Sequence, residues 1–146
     1  MKSLVGYTGF VGSNICAKTN FEGLYNSKNI QDAFNTKPDL LIFSGLPAEK
    51  FLANKNPDQD IEKVNTAIEN IKKIAPKQIV LISTIDVYPS PINVDEDFPI
   101  PSEGGTYYGQ HRLLLEKFVE TYSDNNLIVR LPGLYGKGIK KILSTI

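Results

Sequence analysis

Three glycines spaced three apart, Gly6, Gly9 and Gly12, break a short apolar run and open a helical pattern within the first dozen residues. Ser3-Leu4-Val5 reads as a strand, the glycine stretch as a tight turn, and Phe10 to Lys18 as a helix. Glycine at the first position lets the chain turn without a Cβ clash. At the second it lets backbone N–H groups approach a bulky anion, and at the third it packs helix closely on strand. The helix start adds unpaired N–H donors and a partial positive charge. A glycine-rich turn without a ligand has the same spacing. A strand before it and a helix after it supply the setting a dinucleotide-binding turn requires. The candidate contacts of that turn are Gly6, Thr8, Gly9, Phe10, Val11 and Gly12.

The rest of the chain narrows the class. Its 146 residues suit one domain spanning 1–146 with a real core. Sixteen basic residues balance sixteen acidic ones, which argues against a nucleic-acid surface. The N-terminal apolar run is too short for a signal peptide or a membrane span, so a cytoplasmic protein is expected. The lone Cys16 excludes an internal disulfide framework and reads as a small buried hydrophobe rather than a reactive thiol. One histidine and no Cys/His cluster argue against a zinc site, and no metal is expected.

Along the chain, short apolar runs alternate with longer amphipathic stretches. A strand is expected over Phe21 to Tyr25, a short helix over Ile30 to Phe34, and a strand covered on both faces over Leu40 to Phe43. Asn56-Pro57-Asp58 starts a helix whose isoleucines and valine recur at helical spacing until Pro76. Gln78 to Ile82 is the next buried strand. Pro89 to Gly105, rich in proline, is a long irregular loop of the kind that is usually functional. Tyr107 to Tyr122 is helical, Leu127 to Leu131 a strand, Pro132 to Gly138 a loop, and Ile139 onward a helix start. This alternation predicts a doubly wound parallel sheet, a Rossmann fold, with ligands beyond the carboxyl ends of its strands. Ser44, Gly45 and Pro132 become candidate contacts on that ground.

Where NAD-preferring proteins carry an acid for the adenosine ribose, this chain has Asn26, Ser27 and Lys28. A missing carboxylate removes the repulsion of a 2′-phosphate, and Lys28 either attracts that group or stays solvated. The expectation therefore leans to NADP over NAD. Asn65, in mid-helix, either bonds a strand backbone beneath the cofactor or is an exposed helix residue.

Two later stretches, Ser83-Thr84-Ile85-Asp86-Val87-Tyr88 and Tyr108-Gly109-Gln110-His111-Arg112 with Glu116 beyond, join the glycine turn, Asp95 to Pro101 and Arg130 to Gly136. Together they resemble the extended short-chain dehydrogenase/reductases: the nucleotide-sugar epimerases, dehydratases and reductases. The resemblance implies a dinucleotide cofactor, a nucleotide-sugar substrate and a homodimer formed through the two long helices. It also implies that this chain lacks the last sheet strand or strands and the small substrate domain, so that alone it binds cofactor without useful turnover.

By position Tyr108 is the acid/base and Thr84 the hydroxyl that holds the substrate oxygen. A phenol's ordinary pKa of about 10 is too high for an efficient base at neutral pH, and a cation one helical turn away lowers it. That cation is Arg112 where the family has lysine. Tyr107 is set aside because its i+4 neighbour is His111, a poorer cation. Arginine keeps the charge and can bond ribose hydroxyls but does not release a proton. Arg112 is thus either a tolerated variant or a mark of lost catalysis. Two functions stay open: the NAD(P)-binding domain of such an enzyme, and a non-catalytic dinucleotide-binding sensor or scaffold.

Overall fold

The structure is a computed structural model that describes residues 1–89, 95, 97, 99–100 and 105–132. Five strands form one parallel sheet: β1 (Lys2–Val5), β2 (Gly23–Tyr25), β3 (Leu40–Phe43), β4 (Gln78–Thr84) and β5 (Asn126–Leu131), in the order β2-β1-β3-β4-β5. Four helices accompany them: α1 (Phe10–Lys18), α2 (Lys50–Lys55), α3 (Pro57–Ile74) and α4 (Tyr107–Tyr122). The expected doubly wound α/β architecture is therefore present. The order reverses between β1 and β3, which makes the carboxyl ends of those two strands the switch point of the sheet.

Strand alternation decides the core. Val5, Leu41, Phe43, Ile79 and Leu81 point to one face and pack against Val64, Ala67, Ile71 and Ile74 of α3 and Leu115 and Val119 of α4. Residues of the other parity, Leu40, Ile42, Val80 and Ile82, stay half-buried. This corrects the expectation that β3 is covered on both faces. Its apolar run is continuous, yet among the described residues the two long helices share one side of the sheet.

Element ends follow local chemistry. Pro57 opens α3, where a missing N–H costs nothing, and Ala75 closes it in the left-handed region at φ 56°. Thr106 caps α4 by accepting the Gly109 N–H at 3.1 Å. The expected helix at residue 30 is one turn of 3-10 geometry, Ile30–Ala33. The short α2 was not expected. The expectations for residues 133 onward, and most of that for the proline-rich loop, lie outside the described residues.

Candidate functional site

Two of the three turn glycines are required by the protein itself. Gly6 has φ +93°, and a Cβ on it would stand 2.1 Å from the carbonyl oxygen of Ser44. A Cβ on Gly12 would stand 1.9 Å from the carbonyl oxygen of Gly6. These contacts draw β1, β3 and α1 together at the switch point. Gly9 differs. Its φ is −77°, and a Cβ there would meet only the Gly6 carbonyl, at an ordinary 3.5 Å. Among the described residues nothing else lies within 4 Å of that Cβ. Gly9 is the N-cap of α1, which has no side-chain cap and no acid in its first turn. The first bond into that helix is Ser13 N–H to Gly9 at 2.8 Å, so the N–H groups of Phe10, Val11 and Gly12 lie ahead of the intrahelical ladder. Thr8 is exposed beside them.

The β2 end is a built turn. The Asn26 N–H donates to Asn29 Oδ1 at 2.7 Å, the Lys28 N–H to Asn26 Oδ1 at 2.9 Å, and Asn29 Nδ2 to the Leu24 carbonyl at 3.0 Å. The Asn26 carboxamide oxygen is thus engaged with its own loop, while Ser27 and Lys28 are exposed. Asn29 was missed in the sequence because its work is done on backbone groups. At the β3 end Ser44 is half-buried and its N–H bonds the Val5 carbonyl at 2.9 Å. Gly45 is exposed with Val5 and Phe43 close beneath it, and Pro132 is exposed after β5. Asn65 is exposed on α3, the second of its two readings, and Cys16 is half-buried.

The third part joins the end of β4 to the start of α4. A Cβ on Gly109 would stand 1.9 Å from the Asp86 carbonyl oxygen, so the 3-10 turn Ile85–Val87 rests directly on the first turn of α4. That contact brings the Thr84 and Tyr108 segments to one place. The Thr84 hydroxyl donates to Asp86 Oδ2 at 3.1 Å and accepts the Asp86 N–H at 3.1 Å. Lys50 of α2 donates to Asp86 Oδ1 at 2.9 Å, and Asn54 Oδ1 accepts the Tyr108 N–H at 3.0 Å. Tyr108 is buried. Burial pushes its phenol above the ordinary value, Arg112 opposes the rise, and Asp86 and Asp60 add to it.

Arg112 departs from its expected place. It is buried, and its Nη1 lies 2.7 and 2.5 Å from the two carboxylate oxygens of Asp60. Its Nη2 donates to the Pro47 carbonyl at 3.1 Å, and its Cζ lies 4.2 Å from the centroid of the Tyr108 ring. These partners engage both terminal nitrogens of the cation expected to reach a ribose. Burial works to raise the Asp60 pKa, but hydrogen bonds from Arg112 and His111 outweigh it and hold the carboxyl below the usual range. Asp60, Asp86, Lys50 and Asn54 were all missed as members of this site. In the sequence Asp60 looks like an ordinary acid in a first helical turn.

A second ion pair joins α4 to β5, its carboxylate buried and its guanidinium half-buried. Glu116 is fully buried and takes the Ser83 hydroxyl at 2.5 Å and Arg130 Nη2 at 2.7 Å. Arg130 also donates to the Tyr88 hydroxyl at 2.6 Å, and that hydroxyl bonds the Asp95 carbonyl. The pair therefore ties β4, β5 and α4 to the start of the proline-rich loop. Among the described residues no three His, Cys, Asp or Glu side chains gather as a metal site, and no helix is long and apolar enough to cross a membrane.

Sheet order, glycine turn and tyrosine helix together make a fold shared with solved short-chain dehydrogenase/reductase structures. Among solved structures the chain is similar to a dTDP-4-dehydrorhamnose reductase from Clostridium acetobutylicum, with TM-score 0.76 and 21% identity over 99% of this chain and 57% of that one. The same figures hold for dTDP-4-dehydrorhamnose reductase from Bacillus anthracis in complex with NADP. A short-chain dehydrogenase/reductase superfamily protein from Agrobacterium tumefaciens with bound NAD gives TM-score 0.65 and 18% identity over 89% of this chain and 48% of that one. The chain thus spans a little over half the length of the first two and about half that of the third. No protein-family model matches the sequence, and no curated protein matches it.

Proposed function

We propose that this chain is the NAD(P)-binding domain of a nucleotide-sugar epimerase, dehydratase or reductase. The observation that carries the reading is Gly9: a glycine that no contact among the described residues requires, at an uncapped helix start, beside a turn that two other glycines hold in place. The N–H groups of Phe10, Val11 and Gly12 would hold a pyrophosphate there. Gly6, Thr8, Ser44, Gly45 and Pro132 would border the dinucleotide at the strand ends. Asn26, Ser27 and Lys28 would face the adenosine ribose. The absence of a carboxylate and the exposed Lys28 support NADP over NAD, as does the NADP complex of the Bacillus anthracis protein.

When bound, the nicotinamide supplies or accepts the hydride at the sugar carbon. Tyr108 moves the proton on the neighbouring oxygen. Thr84 spends its one hydroxyl proton on Asp86 and one lone pair on the Asp86 N–H, so its remaining lone pair accepts from the phenol or a substrate hydroxyl. The exposed Phe51, Leu52, Tyr107 and Leu114 on α2 and α4 support a homodimer through this helical layer.

A second reading, a sensor or scaffold that binds the dinucleotide without turnover, is favoured by one observation. Arg112 is committed to Asp60 rather than left for a ribose. Titration with NADPH and NADH tests the binding that both readings share. Gly9→Ala should keep the fold, since its Cβ meets only an ordinary contact, and weaken NADPH at least about tenfold. Unchanged affinity would sink the assignment of the turn. In a chain extended to carry a substrate domain, turnover of a nucleotide-sugar with NADPH, abolished by Tyr108→Phe at unchanged cofactor affinity, separates enzyme from scaffold.

A further inference from the structure

Three side chains from two helices pack as one unit. Asp60, in the first turn of α3, is 4% exposed; Arg112 and Tyr108, in the first two turns of α4, are 5% and 6% exposed. The guanidinium presents its edge to the carboxylate and lies over the phenol ring, with Cζ 4.2 Å from the ring centroid. Asp60 also takes His111 Nδ1 at 2.6 Å, so the carboxylate is held from two positions on α4. A guanidinium fixed in this way keeps its charge, but the carboxylate beside it offsets the field it exerts on its surroundings.

We propose that Asp60 is the positioning residue of the Tyr108 site: by pairing with Arg112 it holds the guanidinium on the phenol ring and cancels the charge that would otherwise draw the proton from Oη. This rests on the reading of Tyr108 as the proton-transfer group. The groups facing Tyr108 from each packed element fit it. On α4 stands Arg112, with His111 on the same carboxylate, and from α3 comes Asp60. The turn after β4 brings Asp86, and α2 brings Lys50, paired with Asp86, and Asn54 on the Tyr108 N–H. Cations and carboxylates are thus matched, Arg112 with Asp60 and Lys50 with Asp86. With charges balanced, burial decides, and it favours the neutral phenol. Such a phenol is set to give its proton to a developing oxyanion, becoming tyrosinate as the oxyanion becomes a hydroxyl. It is poorly set to take one from an alcohol.

The experiment needs neither substrate nor cofactor. The chain is labelled with 13Cζ-tyrosine and titrated from pH 8 upward by NMR, with Tyr108→Phe identifying the resonance. Asp60→Asn should make Tyr108 ionise about one pH unit earlier than in the wild type, because Arg112 is left uncompensated. Arg112→Met should make it ionise later, because Asp60 is left uncompensated. The double variant should fall between the two single variants. Loosening of the structure would move both single variants earlier, so the later titration of Arg112→Met is the diagnostic result. If Asp60→Asn does not fold, the comparison of Arg112→Met with the double variant still reads the Asp60 charge. Single variants that shift the same way, or a double variant that titrates with Arg112→Met, would overturn the proposal. Full turnover in Tyr108→Phe would instead overturn the reading on which it rests, leaving the measured coupling intact.

Discussion

Replacing Gly109 by alanine sets two opposed effects against each other. On helix propensity alone the change stabilises, by about 1 kcal/mol for an interior position. Sterically it puts a Cβ 1.9 Å from the Asp86 carbonyl oxygen, where real Cβ atoms come no nearer than 3.0 Å. The first turn of α4 and the turn after β4 must therefore part by at least about 1.1 Å. Both contacting groups are backbone, so no flexible side chain can swing aside. Val87 of that turn is buried and the Thr106 cap of Gly109 would be disturbed, which closes the easy routes of relief. Forced overpacking of this kind costs about 1–3 kcal/mol or more. The steric effect should win, leaving Gly109→Ala less stable by about 1–2 kcal/mol in urea denaturation. Cofactor affinity should change little, because the glycine turn stands at β1. In a chain extended to carry a substrate domain, the proposed Tyr108-dependent turnover should drop by about a hundredfold, the cost of an ångström's misplacement between reacting groups. A variant as stable as the wild type, or more so, would refute the claim that this close approach assembles the Thr84–Tyr108 site.

Glu116→Ala leaves the half-buried Arg130 without its carboxylate and should cost about 1.5–3 kcal/mol, with Glu116→Gln less harmful because it keeps an acceptor. Urea midpoints for the two variants check this, and a loss below about 1 kcal/mol in Glu116→Ala would contradict it. Asp60 carries a lowered pKa in the fold, so its contribution is fully present above the unfolded value of about 3.9 and is lost as pH falls through the lower folded value. Stability should therefore decline below about pH 4, and Asp60→Asn should flatten that decline. Identical pH profiles for the two proteins would dismiss Asp60 as the source.

Elements whose ends are set by their own residues were readable in the chain. Phe10–Lys18 begins directly after Gly9, the second turn glycine, and Tyr107–Tyr122 begins after a threonine that caps it, so both helices stand where the sequence places them. Leu40–Phe43 follows Pro38-Asp39 and is likewise in place. Elements set by neighbours were not. β4 runs on to Thr84 because Ser83 and Thr84 pair with Arg130 and Leu131, which a strand read alone does not reveal. β2 shrinks to Gly23–Tyr25, the residues that pair with Ser3, Leu4 and Val5. α2 has six residues and an exposed Phe51, too short and too irregular for a helical period to show.

The site divides along the same line. Glycines announce themselves, because a missing side chain has a local steric meaning whatever surrounds it. Gly6, Gly12 and Gly109 each prove to lie against a backbone carbonyl. A charge has no such local meaning. Arg112 four residues after Tyr108 invites the role of a free cation, and spacing alone does place it on the ring. What spacing cannot supply is Asp60, fifty-two residues earlier on another helix, which takes both oxygens to that guanidinium. The same holds for Lys50 on Asp86 and Asn54 on the Tyr108 N–H. All three partners enter through α2 and the start of α3, the segment with the weakest sequence pattern. Motif and scaffold thus state which segments meet after β4, while the charge pairs formed across helices, which no local pattern announces, make up the surroundings of the phenol.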